Sequence, residues 1–298
     1  MSQYRGIFSI PQTPFTAKGA IDTEGLKRVV DFAVNSGASG IVGPVLASEF
    51  YTLSEEEHRE VISIYVEVVN KRVPVVAGVT GNYISHSLGL AKYAEEVGCH
   101  AIIAMPTVSR PASQEYIHNY FAELSRSCSL PIFIQNAPAS GSSMSADFMI
   151  KLAKKFPLIQ YVKQEGAFAS HVISDLISKG SGAFKGIMGG MAAKFIIDEH
   201  SRGACGNMPG SYIVDVQVKV WDLLEAGELE EARALQARLL PVLLYGNLFG
   251  LEVSKYVLAA RGIIDNPFTR NPSARKMDKF ERRELDWALS QISDLFST

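Results

Sequence analysis

Lys163 closes the apolar run Leu158-Ile159-Gln160-Tyr161-Val162, and a carboxylate, Glu165, follows two residues later. A lysine at the end of a buried run is held among apolar walls, where desolvation disfavours an ammonium and favours the free amine. A free amine attacks a ketone to form a Schiff base, so the position points to covalent carbonyl chemistry. In an extended segment residues two apart face the same way, which sets Glu165 beside the amine as a candidate acid or base. The competing readings are a strand-end lysine paired with Glu165 for structure alone, and a loop carboxylate that caps the helix starting near Ala167. Lys151, Lys154 and Lys155 fall in a helical stretch and face solvent on this reading. Lys185, inside the next apolar run, is the one rival nucleophile.

Such a pair needs a scaffold, and the chain supplies a repeating one. Short apolar or β-branched runs fall at 6–10, 40–43, 73–79, 101–105, 131–135, 159–163, 183–188 and 203–207. Amphipathic stretches of roughly ten to fifteen residues separate them, which is the alternation of a parallel sheet with helices on its faces. Helix starts are marked by Asp22-Thr23, by Ser54 with Glu57 three residues on (a capping box), and by Ser85, Ser113 and Ser145. Within 53–69 the spacing of Val61, Ile62, Tyr65, Val68 and Val69 predicts one inward face. Eight strand–helix units, with no GxGxxG after the first strand, favour a closed (βα)8 TIM barrel over an open doubly wound sheet. This α/β barrel is expected over residues 1–225. Residues 226–298 lack a strand signal and read as a C-terminal helical extension, with helices at 228–240, 241–261 and 278–296 around a Pro- and Asn-containing loop at 265–272.

In such a barrel the reactive groups sit at the carboxyl ends of the strands. Besides Lys163 and Glu165, this selects Ala47, Ser48 and Glu49 after the second strand, whose hydroxyl and backbone N–H groups could form a nest for a substrate carboxylate. Ser48 serves equally well as a turn residue. Gln135, at the fifth strand, could bond a substrate hydroxyl. Asn207 at the eighth, with Asn82 or Tyr83 after the third, could line the same mouth. Thr13 and Thr107 are further strand-exit residues.

Composition narrows the partners. The 298 residues carry 29 basic and 31 acidic side chains, a formal charge of −2, which offers no field for nucleic acid or an anionic membrane. With 47% hydrophobic and 20% charged residues the chain is neither disordered nor fibrous. No signal-peptide pattern opens it and no run of about 18 apolar residues occurs, so a soluble, cytoplasmic protein is expected. Three cysteines without CxxC spacing suit a reducing compartment. The six histidines are scattered, without HxH or HExxH, so no metal is expected. An iminium supplies its own electrophile, so no organic cofactor is expected either.

Taken together, Gly6-Ile7-Phe8 with Thr13-Pro14-Phe15, Glu49 with Thr52-Leu53-Ser54-Glu55-Glu56-Glu57, the segment Pro74 to Val79, Met105-Pro106, Asn136-Ala137-Pro138 and Val162-Lys163 resemble, in order and spacing, the dihydrodipicolinate synthase and N-acetylneuraminate lyase family. The resemblance spans nearly the whole chain. It implies a class I, Schiff-base-forming lyase in which Lys163 is the Schiff-base lysine, with a 2-oxo acid as small-molecule partner and a homo-oligomer, dimer or tetramer. Departures from the family pattern are equally specific. Gln135 stands where the family carries a proton-relaying tyrosine, no arginine follows Pro138, and Val45-Leu46-Ala47-Ser48-Glu49 replaces Gly-Thr-Thr-Gly-Glu. An amide does not titrate near neutral pH, which argues against authentic dihydrodipicolinate synthase or neuraminate lyase activity. The string from Ile134 to Gly141 resembles instead the 2-keto-3-deoxy-arabonate dehydratase-like branch, implying dehydration of a 2-keto-3-deoxy sugar acid. Retro-aldol cleavage releasing pyruvate, deamination of a cyclic imino acid, and a non-catalytic sugar-acid-binding protein are the alternatives.

Overall fold

The computed structural model describes residues 4–106, 111–137, 141 and 143–297. Thr107 and Pro138 lie outside them. Eight parallel strands, β1 (Gly6–Ser9), β2 (Gly40–Gly43), β3 (Val75–Gly78), β4 (Ala101–Ala104), β5 (Ile132–Asn136), β6 (Ile159–Gln164), β7 (Gly186–Gly189) and β8 (Gly206–Asn207), pair in sequence order. β1 also pairs with β8 and closes the barrel. Helices α1 (Thr23–Asn35), α2 (Glu55–Val69), α3 (Ile84–Glu96), α4 (Gln114–Ser127), α5 (Ala146–Lys155), α6 (Ala169–Gly180), α7 (Ile196–Ser201) and α8 (Val214–Ala226) each follow a strand. The fold is a TIM barrel followed by C-terminal helices.

The strands form where β-branched and apolar side chains can be buried on both faces of a parallel sheet. One parity fills the lumen: Phe8, Val42, Val76, Ile103, Phe133, Tyr161 and Met188 form a buried cluster, with the Phe133 and Tyr161 rings stacked at 4.4 Å. The other parity, including Ile7, Ile41, Ile102, Ile132 and Val162, packs under the helices. Four of the expected helix starts follow the capping logic: the Asp22 carboxylate accepts from Gly25 N, Ser113 from Tyr116 N, Ser145 from Phe148 N, and both bonds of the Ser54–Glu57 capping box form, whereas α3 begins at Ile84, ahead of Ser85, on Tyr83 with no side-chain cap. On α2 Val61, Ile62, Tyr65 and Val69 are buried; Val68 is only half-buried and Ile64 takes a place in the core.

Several boundaries differ from the sequence pattern, two of them with consequences for the site and the extension. The apolar run 183–188 yields only Gly186–Gly189 as strand, so Lys185 precedes β7, at the opposite end of the barrel from the strand carboxyl termini, and is exposed. That removes it as a nucleophile at the mouth. In the extension, Pro241 does not separate two helices: α9 runs Leu229–Phe249 through it, held by buried Leu239, Val242 and Leu243. The break falls at Gly250, whose φ of 58° and ψ of −121° suit glycine alone, and α10 (Leu251–Ala260) starts there. After an irregular segment, α11 (Lys279–Ser290) begins on an Asp278–Glu281 capping box.

Buried charge ties this extension to the barrel. Lys255 on α10, fully buried, is ion-paired with Glu49 in the loop after β2, donates to Phe268 O at 2.9 Å and lies 4.1 Å from the Phe15 ring centroid. Burial pulls the Lys255 ammonium down to about 8, against the opposing charge of Glu49. Arg261 grips Asp215 of α8 with two bonds, at 3.0 and 2.5 Å. Removing one partner of a buried pair strands the other charge, so Lys255→Met is expected to cost about 3 kcal/mol or more of stability. Glu49→Gln should cost a similar amount, and the double variant should recover part of the loss. Urea midpoints of the three variants check this; purely additive losses would refute the coupling.

Candidate functional site

The site grows out of the pairing of β5 with β6. Gln135 is opposite Lys163 in that register, one step beyond the Phe133–Tyr161 pair, so both side chains continue the lumen-facing row. Lys163 is 3% exposed and its Nζ lies 3.1 Å from Glu165 Oε2. The same carboxylate oxygen accepts from Gln135 Nε2 at 2.9 Å. Glu165 stands just past β6, yet its backbone N–H still donates to Asn136 O at 3.0 Å, so the alternation carries through to it. Asn136 and Gln164, of the other parity, brace the strand ends from behind: Asn136 Nδ2 donates to Gln164 Oε1 at 2.9 Å and Gln164 Nε2 to Glu165 O at 2.8 Å.

Lys163 and Glu165 open into a cavity of about 490 Å³ at the carboxyl ends of the strands. Its walls include Gln12 and Ala47 from the barrel loops, Tyr212, and residues of the extension around Gly250 and Arg275. Beside it is a larger cleft of about 1060 Å³, walled by apolar residues such as Phe168, Phe195 and Leu244 and reached by neither Lys163 nor Glu165. Of the two, the smaller cavity is the one that holds an amine and a carboxyl in contact, which makes it the candidate site.

The other expected site residues divide. Ala47 lines the cavity and Gln135 touches it through Glu165. Ser48 does not act as an anion donor: its Oγ is fully buried and donates to Pro11 O at 2.7 Å, while its backbone N–H donates to Val45 O and that of Glu49 to Leu46 O. The proposed nest is thus consumed by two tight turns. Glu49 faces away from the cavity, where Lys255, the Thr269 hydroxyl and Asn271 N satisfy its carboxylate. Asn207 is fully buried and donates from Nδ2 to Glu199 Oε2 at 2.6 Å instead of lining the mouth. Tyr83 is 59% exposed on the surface. Among the described residues no group of three or more His, Cys, Asp or Glu is placed to hold a metal, and no helix is long and apolar enough to cross a membrane.

Sequence reasoning missed Gln12, the next residue in the lumen-facing row of Phe8 and Ile10. It is 1% exposed, its Oε1 accepts from Ser211 N at 3.2 Å, and its buried Nε2 has no partner among the described residues. Because Ser211 fixes the amide orientation, the free N–H₂ is a donor in the cavity wall. It also missed Glu199 on α7, whose only signal is membership of an ordinary polar triplet, Asp198-Glu199-His200. Glu199 is 1% exposed, and burial pushes its carboxyl up to about 8, with the negative charges of Asp198 and Glu165 adding to the rise and the Asn207 amide opposing it. Two glycines make room for these carboxyls. A Cβ on Gly189 would fall 1.9 Å from Glu199 Oε2, and one on Gly190 would fall 2.4 Å from Glu165 Cγ.

The comparisons with known proteins agree with this architecture. The sequence profile of the Dihydrodipicolinate synthetase family matches residues 3–292. An L-2-keto-3-deoxyarabonate dehydratase from Azospirillum brasilense is 29% identical over 278 residues, covering 91% of this chain and 89% of its own. A 4-hydroxy-tetrahydrodipicolinate synthase from Chelativorans sp. is 31% identical over 268 residues, covering 88% and 90%. The crystal structure of a dihydrodipicolinate synthase from Rhodopseudomonas palustris superposes with a TM-score of 0.88 at 26% identity, over 96% of this chain and 97% of that one.

Glu199 makes stability depend on pH. The folded protein keeps its proton up to about 8, whereas the unfolded chain releases it near the model-compound value of 4.5. Stability from this group is complete below the lower value and is lost as pH rises through the upper one. Glu199→Gln, which mimics the neutral acid, should flatten the decline in thermal midpoint between about pH 5 and about pH 9. A variant as pH-sensitive as the parent over that range would refute the assignment.

Proposed function

Since the chain belongs to the Dihydrodipicolinate synthetase family, we propose that it is a Schiff-base lyase that dehydrates a 2-keto-3-deoxy sugar acid. The observation that carries this reading is the buried Lys163 amine in contact with Glu165 on the wall of an open cavity. Glu165 takes a proton from the Lys163 ammonium, the amine adds to the C2 ketone, and Glu165 returns that proton to the carbinolamine hydroxyl, which leaves as water and restores the carboxylate. The iminium withdraws electrons from C3, whose proton passes to Glu165. The resulting enamine expels the C4 hydroxyl, which takes that proton from Glu165 and leaves as water. Hydrolysis then frees the lysine and the 2-oxo acid product. One carboxyl thus serves as base and then acid.

Two features favour dehydration. Gln135 supplies no phenol where related lyases carry one, leaving Glu165 as the titratable group in contact with Lys163. The Azospirillum brasilense relative is named for dehydration of such a compound. The carboxylate next to the substrate ketone must sit close to Lys163, and the unpaired Gln12 Nε2 is the donor that fits it, in place of Ser48. The amide holds the anion without placing a second titratable group beside the lysine.

Borohydride reduction in the presence of pyruvate should leave an adduct on Lys163 by peptide mass analysis; an unmodified Lys163 would sink the reading. With 2-keto-3-deoxy acids, loss of water marks a dehydratase, pyruvate an aldolase and ammonia a deaminase. Glu165→Gln should lower kcat by about 100-fold. Gln12→Met should raise KM about tenfold, the loss expected for one hydrogen bond to a charged group, with a smaller effect on kcat.

A further inference from the structure

Arg275 is the part of the cavity that the mechanism above does not use. Among the described residues lining that cavity, the cations are Lys163 and Arg275. Lys163 is deep, 3% exposed and paired with Glu165, whereas Arg275 is exposed at the rim and has no ion-pair or hydrogen-bond partner among the described residues. Most other exposed arginines of the chain do have one, such as Arg28 with Asp265 at 2.7 Å and Arg72 with Asp31 at 2.7 Å.

The segment that carries Arg275 is anchored to the barrel. Asn271 N and the Thr269 hydroxyl donate to Glu49 Oε2 at 2.8 and 2.7 Å, and Arg270 holds Glu57 with bonds of 2.7 and 2.6 Å. Beyond these anchors the chain folds on itself, with Ser273 N donating to Asn271 Oδ1 at 3.0 Å and Ala274 N to Asn271 O at 3.2 Å. The next residue is Arg275. Its place over the mouth is therefore set by the same buried Glu49 that pairs with Lys255.

A substrate bound through C2 to Lys163 has its first carboxylate deep in the cavity, and its chain runs outward from there. Arg275 lines the same cavity and is exposed, so it is available to the outer end of such a chain. A guanidinium fork matches the two oxygens of a carboxylate, whereas a terminal hydroxyl gives it one acceptor and no charge. Resting on the Lys163 reading above, we propose that Arg275 is a specificity-determining residue that binds a second, terminal carboxylate, so that the preferred substrate is a 2-oxo-3-deoxy diacid. The extension thereby supplies the cation that the loop after β5 does not.

The test compares the intact protein with Arg275→Gln and Arg275→Lys, using a six-carbon 2-oxo-3-deoxy diacid and the matching monoacid that ends in a hydroxymethyl group. Binding is read by calorimetry and turnover by KM and kcat. The intact protein should favour the diacid by roughly tenfold or more. Arg275→Gln should abolish that preference by weakening the diacid alone, mainly in KM, and Arg275→Lys should restore part of it. Pyruvate trapping on Lys163 should be unchanged in both variants, because pyruvate has no far end. Equal affinity for the two acids in the intact protein, or an equal loss of both in Arg275→Gln, would overturn the proposal. Failure of pyruvate trapping in the intact protein would instead overturn the Schiff-base reading, and calorimetry would still report on Arg275.

Discussion

The pairing of β5 with β6 decides which atoms can meet at the mouth of the barrel. Side chains in a strand alternate between faces with a period of two, so one shift of register would turn Lys163 under the helices and bring Val162 to the lumen. The stacked Phe133 and Tyr161 rings oppose such a slip, because they fill the lumen directly beneath Gln135 and Lys163. Above that layer, the lysine amine and the glutamine amide converge on one carboxylate oxygen of Glu165. A packing constraint in the core is thus also the constraint on the chemistry.

The second dependence runs from the loop after β2 to the extension. Glu49 is buried with φ of 57°, a left-handed conformation that a glutamate adopts only where its surroundings hold it there. Here Lys255, the Thr269 hydroxyl and Asn271 N all converge on its carboxylate. Desolvating both charges is costly, and a buried pair of this kind is weak evidence for added stability. Its contribution is positional: it fixes the irregular segment between α10 and α11 over the mouth, which makes the extension part of the cavity wall.

Charge is distributed by depth. A near-zero net charge leaves no long-range attraction for an anion, so a 2-oxo acid of the kind proposed would have to be held by local donors. The deep layer holds a paired amine and neutral amides, with Glu199 kept as an uncharged acid behind Asn207. Among the described residues lining the cavity, the unpaired cation, Arg275, is at the rim, in contact with water, where a charged group costs little to leave uncompensated. Among the described residues the charge of Lys163 is balanced by its neighbour Glu165, an arrangement that would suit the proposed iminium.

The strand–helix alternation, the capping residues and the place of Lys163 and Glu165 at a strand end were legible in the sequence, because period-two and 3.6-residue patterns and cap geometry are local properties of a chain. The contact between those two side chains also followed from local spacing. What tertiary structure decided was the role of groups whose partners are distant in sequence. Ser48 and Glu49 sit at a strand exit, yet they bond Pro11 and Lys255, 37 and 206 residues away in the numbering, so their side chains are committed before a substrate arrives. Gln12, Glu199 and Arg275 showed no local mark because an unpaired amide, a neutral carboxyl and a free guanidinium are defined by what does or does not surround them. Whether a polar side chain is a structural anchor or an available donor is settled by its burial and its neighbours, and those exist only once the barrel has closed and the extension has packed across its mouth.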